Sequence, residues 1–141
     1  KDMLHRKVKH KRVKKVKHIS LKSLRKKAWK LFSEYIRRSV RGICYICGNR
    51  RNWKEQNAAH YIHRDSLDYD TVNIHCSCVR CNKWLSGNLG IYAERLIAEY
   101  GEEAMAELRH RANQVKKFTI TELQGLITKY SQALKEIKEE R

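Results

Sequence analysis

Proline is absent from this 141-residue chain, and glycine occurs only six times. A sandwich of many short strands needs frequent turn residues, so their scarcity favours helices and one domain with a modest core. No run approaches the roughly 20 apolar residues of a membrane span, and no charged-then-apolar leader opens the sequence. A soluble, intracellular protein without a membrane partner is expected. Acidic residues are scarce in one place: residues 1–42 hold 17 Lys/Arg against Asp2 and Glu34, whereas the remainder carries 15 basic and 13 acidic side chains. The formal net charge of +17 is therefore concentrated near the N-terminus. Such asymmetry points to a polyanion partner, most simply nucleic acid, ahead of a tail that only aids solubility.

The opening stretch KDMLHRKVKHKRVKKVKH has few large apolar groups to bury and its like charges repel, so residues 1–19 are expected to form a disordered basic arm. Lys11, Arg12, Lys14 and Lys15 are its candidate DNA contacts, each releasing counterions when set against a phosphate. A nuclear-localisation run is the alternative for such a block. Residues 20–141 read as one domain. Leu21, Leu24, Ala28, Phe32, Tyr35 and Ile36 recur at helical spacing behind Ser20, a suitable N-cap. Lys22, Arg25, Lys26, Lys30 and Arg37 occupy the other face, where they would line a phosphate path.

Gly42 is expected to end that helix. A short strand within residues 57–64, a polar loop from Asp65 to Asp70, a returning strand from Thr71 to His75 and a helix from about Cys81 complete the middle of the chain. Two further helical segments follow Gly90, divided at Gly101, and Thr119 to Glu122 matches a capping box opening a last helix to about Glu139. Leu123, Ile127, Tyr130, Leu134 and Ile137 form a seam on that helix. The seam suits either a homodimer through residues 120–138 or a cover for the chain's own core.

Cysteine is well represented, with five residues. In a reducing compartment cysteines more often mean metal than disulfide, and Cys44/Cys47 and Cys78/Cys81 are two Cys-x-x-Cys knuckles that can close one loop around a structural Zn²⁺. Unrelated buried cysteines are the alternative. Cys76 does not share the spacing and reads as a small filler. Between the knuckles lie His60, His63, Asp65, Asn73 and His75, and Asn82 directly follows Cys81.

These residues resemble the HNH, or ββα-metal, nucleases, in which a strand-borne histidine is the general base, a hairpin asparagine braces its loop, and a helix residue binds the catalytic metal. The resemblance places His60 as base, Asn73 as brace and Asn82 as metal ligand. Ala59 departs from the pattern, because many such nucleases hold the metal with an aspartate or histidine there; His63, Asp65 and His75 are the candidates for a further ligand. The chain is more closely similar to the NinG, or Rap, recombination proteins of lambdoid phages. That similarity covers about residues 20 to 138 and includes CYICG, AAHYI, NIHxxCxxCN, SGNL, Tyr100-Gly101 and Phe118-Thr119. It implies an endonuclease for branched recombination intermediates such as Holliday junctions and displacement loops, working in the bacterial host cytoplasm. The Cys-x-x-Cys-Asn arrangement is also similar to endonuclease VII type resolvases.

The expected fold is therefore α+β: a small zinc-stapled ββα-metal core at residues 43–90, flanked by helices. The expected cofactors are structural Zn²⁺ and a catalytic Mg²⁺ or Mn²⁺ near Asn82, with His60 taking a proton from water. An unperturbed imidazole titrates near neutrality and suits that task. A non-catalytic zinc-finger DNA-binding protein and a restriction or homing HNH nuclease are the rival readings.

Overall fold

Ser20 begins the first helix by accepting a hydrogen bond on its side chain from the Ser23 N–H, at 3.2 Å. The computed structural model describes residues 19–139, so the arm with Lys11, Arg12, Lys14 and Lys15 lies outside the described residues. Helix α1 runs over Leu21–Ser39 and contains neither glycine nor proline. Its stripe of Ala28, Phe32 and Ile36 is buried, while Leu21 at its start stays exposed. At the other end the Gly42 N–H bonds back to the Arg37 carbonyl at 3.0 Å. Gly42 has φ +73°, and a Cβ there would sit 1.9 Å from the Arg51 carbonyl oxygen. Only glycine lets the following loop cross so closely.

Two strands follow, β1 (Asn57–His60) and β2 (Ile74–Ser77), in an antiparallel pair with Ala58 opposite Cys76, Ala59 opposite His75 and His60 opposite Ile74. Side chains alternate across a strand, so Ala58, His60, Ile74 and Cys76 share one face of the hairpin, and Asn57, Ala59, His75 and Ser77 the other. The first face packs with Ala28, Phe32, Tyr69, Leu123 and Tyr130. The second packs with Cys44, Ile46, Leu67, Tyr92, Leu96, Met105 and Leu108. A two-stranded ribbon is marginal in water, and being covered on both faces stabilises this one.

The returning strand begins three residues later than the sequence suggests, at Ile74 in place of Thr71. Asp70 Oδ1 accepts from the N–H groups of Val72 at 2.9 Å and Asn73 at 3.2 Å. That local turn takes the donors a ladder would need. The helix anticipated from Cys81 is also different: Arg80–Trp84 is a single π-helical turn, and Ser86, Gly87 and Asn88, at φ 50°, 92° and 48°, break the chain before α2 (Leu89–Tyr100). Gly101 then turns the chain into α3 (Glu102–Ala112).

The last helix, α4 (Ile120–Glu139), opens on a reciprocal cap: the Thr119 N–H donates to Glu122 at 2.9 Å, and the Glu122 N–H to Thr119 Oγ1 at 3.2 Å. Leu123, Tyr130 and Leu134 of its seam are buried, with Ile127 packed beside them, and Tyr130 meets Phe32 edge-on at 5.1 Å between ring centres. These residues cover the chain's own core against α1. No helix among the described residues is long and apolar enough to cross a membrane. The whole is a helix-rich α+β domain around a two-stranded sheet.

Gly42→Ala should destabilise the fold by roughly 2 kcal/mol or more, because both its positive φ and the Arg51 carbonyl oppose a Cβ. Gly125→Ala, in α4 with nothing within 4 Å of a new Cβ, should instead stabilise by about 0.5–1 kcal/mol. Urea unfolding of the two variants checks both signs.

Candidate metal centre and histidine site

The knuckle after α1 and the π-helical turn after β2 bring Cys44, Cys47, Cys78 and Cys81 together, with all four sulfurs within 4.8 Å of one another. Cys47 Sγ and Cys78 Sγ are 3.7 Å apart. A tetrahedral zinc with Zn–S of about 2.3 Å needs sulfurs about 3.8 Å apart, so the donor set fits Zn²⁺. The loop geometry aims donors at the sulfurs. The Cys81 N–H lies 3.4 Å from Cys78 Sγ, and Asn88 Nδ2 3.7 Å from Cys81 Sγ.

Burial pushes the Cys44 thiol up, but the backbone N–H groups of Cys47, Cys78 and Ile46 outweigh it and bring the group down to about 7. Burial pushes Cys81 up, with the Asn88 amide acting against it. A divalent cation supplies the charge that lets four clustered thiolates coexist, and three of the four are buried. Cys76 stands apart, on the hairpin face turned to α1, where burial pushes it up to about 12.

His60 ends β1 on that same α1-facing side. Its Nε2 lies 3.1 Å from Asp68 Oδ1, and its ring stacks on Trp29 at 5.2 Å and 15°. The exposed His63 ring lies against it at 5.5 Å. With the Asp68 carboxylate as acceptor, the neutral imidazole carries its proton on Nε2 and presents the Nδ1 lone pair. Asn73 is fully buried and grips the loop beyond His60: its Oδ1 accepts from the Ile62 N–H at 2.8 Å, and its Nδ2 donates to the Ile62 carbonyl at 2.9 Å. The same loop is tied by the Tyr61 N–H to the Asn73 carbonyl at 2.8 Å.

His75 lies on the opposite hairpin face from His60, a consequence of the strand register. Its Nδ1 is 3.1 Å from the Tyr92 hydroxyl, its Nε2 3.3 Å from the Tyr100 hydroxyl, and its ring stacks on Tyr45 at 3.9 Å. Burial lowers its pKa to about 4, so it is neutral at physiological pH. Asp65 is exposed in a short 3-10 turn, and Asn82 is half-buried, held by its N–H to the Cys78 carbonyl at 2.9 Å. Apart from the cysteines, the described residues bring no three His, Cys, Asp or Glu side chains to a common point.

Lys22, Arg25, Lys26 and Lys30 are all exposed on α1. Arg37 is not: its Nε donates to the Ser33 carbonyl at 2.9 Å, its guanidinium lies over Trp53 at 5.2 Å, and desolvation lowers its pKa. It ties α1 to the loop after the knuckle. Two features emerge only in the folded chain. Asp68 was one acid among three in a polar loop, and only side-chain geometry separates it from Asp70, which serves the turn and pairs with Arg111 at 3.0 Å. Arg41, Arg50 and Arg51 line a cleft of about 530 Å³ with Asn52 and Trp53 and no acid; their position flanking the first knuckle was the available signal.

A sequence profile described as "Bacteriophage Lambda NinG protein" matches residues 1–140. Protein ninG of Escherichia phage 933W is 33% identical over 120 residues, which span 82% of this chain and 59% of that protein. Protein ninG of Escherichia phage lambda is 32% identical over 120 residues, at 82% and 58%, and that of Salmonella phage P22 is 32% identical over 125, at 82% and 58%. The chain thus spans less than two thirds of the length of these relatives. No solved structure matches.

Cys44→Ser and Cys81→Ser should each lose bound zinc and much of the thermal stability, since binding energy at such a site is largely folding energy. Cys76→Ala should keep one zinc per chain, which metal analysis beside thermal unfolding will show. A separate expectation concerns acid. The depressed His75 pKa contributes stability present above about 6.5 and lost as pH falls through about 4. The stability advantage of the unmodified chain over His75→Phe should therefore shrink across that window; chelation-independent acid titration of both proteins, compared as a difference, measures it.

Proposed function

The chain belongs to the bacteriophage NinG family, and from that premise we propose that it is a DNA endonuclease of the ββα-metal type, cutting branched recombination intermediates. The observation that carries the reading is His60, oriented by Asp68 at the end of a strand whose following loop is clamped by the buried Asn73. A histidine with one nitrogen fixed on a carboxylate and the other free is equipped to take a proton. Trp29 stacks on one face of the ring and restricts its rotation.

In the proposed reaction a water oxygen attacks phosphorus as its proton passes to His60 Nδ1. The P–O3′ bond then breaks and the departing oxygen takes a proton from solvent, leaving a 5′-phosphate and a 3′-hydroxyl. Asp68 acts as a positioning residue that also stabilises the imidazolium. Asn82 would be the residue to hold a hard divalent cation, Mg²⁺ or Mn²⁺, which would supply charge neutralisation at the leaving oxygen. The described residues build no cage of carboxylates for that ion, and Ala59 provides no ligand beside the base.

That same poverty of ligands favours one rival, a non-catalytic zinc-containing DNA-binding protein. Nicking of supercoiled plasmid in Mg²⁺ separates the two, and a four-way junction beside matched linear duplex tests the preference for branches. Lys22, Arg25, Lys26 and Lys30 on α1, and the cleft of Arg41, Arg50 and Arg51, are the proposed phosphate contacts.

His60→Ala should lower the cleavage rate by about 10² to 10⁴ while junction affinity stays within a few fold. Asp68→Asn should lower kcat by less and leave KM unchanged. Cleavage that persists in His60→Ala but vanishes in His63→Ala would move the base to His63.

A further inference from the structure

Trp84 is the only Trp, Tyr or Phe among the described residues that is exposed, with 77% of its surface open. It ends the π-helical turn Arg80–Trp84, two residues beyond Asn82. The turn that carries it is firmly held. The Leu85 N–H bonds to the Arg80 carbonyl at 2.9 Å, the Gly87 N–H to the Cys81 carbonyl at 2.9 Å, and Asn88 reaches the Cys81 sulfur at 3.7 Å. A large aromatic ring left in water on a held backbone contributes little to the core and presents both an apolar face and an N–H to a partner outside the chain.

The surroundings define that partner. Arg80 and Lys83 share the turn and are exposed. No acidic residue occurs between Asp70 and Glu94. A flat π surface on a turn that also carries two exposed cations and no acid is suited to a ligand with flat faces and negative charge, which is a nucleic-acid strand with an unstacked base. A fully paired duplex offers the charge but hides the faces.

We propose that Trp84 is a stacking platform for an unpaired nucleobase at a branch point of DNA, with Arg80 and Lys83 on the adjoining phosphates. This deepens the nuclease reading by naming what distinguishes a branch from a duplex, and it rests on that reading only for the choice of DNA.

The test is binding, free of cleavage. The zinc-loaded full chain, without Mg²⁺, is titrated against a labelled fork carrying unpaired nucleotides and against linear duplex. Trp84→Ala should weaken fork binding roughly 10- to 100-fold, the range of one lost base stack, with duplex binding within about twofold. Trp84→Phe should retain most of the fork affinity, and Lys83→Ala should weaken both ligands alike. Quenching of tryptophan emission by single-stranded oligonucleotide should disappear in Trp84→Phe. Equal loss on fork and duplex in Trp84→Ala, or no loss on either, overturns the proposal; the latter leaves the ring for a protein partner. Absence of cleavage by the unmodified chain would sink the nuclease reading without touching this result.

Discussion

Four sulfurs within 4.8 Å of one another are the constraint on which the rest of the domain depends. They fasten the loop after α1 to the turn after β2 and so close the hairpin between them into one ring of chain. Closing a loop of that length costs conformational entropy that a small core offsets poorly, and a metal ion held by the four thiolates would offset it with its binding energy. The position of Gly42 follows from the same closure. The chain must double back over itself between α1 and the first knuckle, and the Arg51 carbonyl leaves no room for a side chain there.

The hairpin then divides the molecule. Its α1-facing side holds His60, Trp29 and Asp68, a site with an aromatic wall and a carboxylate partner. Its other side holds His75 among Tyr45, Tyr92 and Tyr100, where burial keeps the imidazole neutral and both nitrogens meet hydroxyls. Two histidines of one small sheet thus have different environments because strand parity sends them to opposite faces. Tyr92 adds to the division by donating to the Ala59 carbonyl at 2.9 Å, locking β1 from the side away from His60.

The four-cysteine cluster, α1 with its Ser20 cap, and the Thr119 box of α4 were legible because each depends on local spacing or on residue types with one dominant chemistry. The strand limits were not legible, since Asp70 diverts two backbone donors that the pattern of Val72 and Ile74 assigns to a ladder. Asp68 escaped notice for a related reason: three aspartates within six residues look alike until packing gives each a different partner. Arg37 shows the reverse case. Its charge fits a DNA-facing stripe, yet its proximity to Trp53 and Ser33 binds it into the fold.

The turn from Arg80 to Asn88 separates two properties that usually vary together. It is pinned to Cys81 at the carbonyl by the Gly87 N–H and at the sulfur by the Asn88 side-chain amide. Adding or removing a residue there would pull Asn88 from its sulfur and shift the start of α2. The side chains of Lys83, Trp84 and Leu85 carry no such restriction, being exposed. The segment is rigid in length and permissive at those three positions, so a relative could change the chemistry it displays without refolding its four-cysteine cluster.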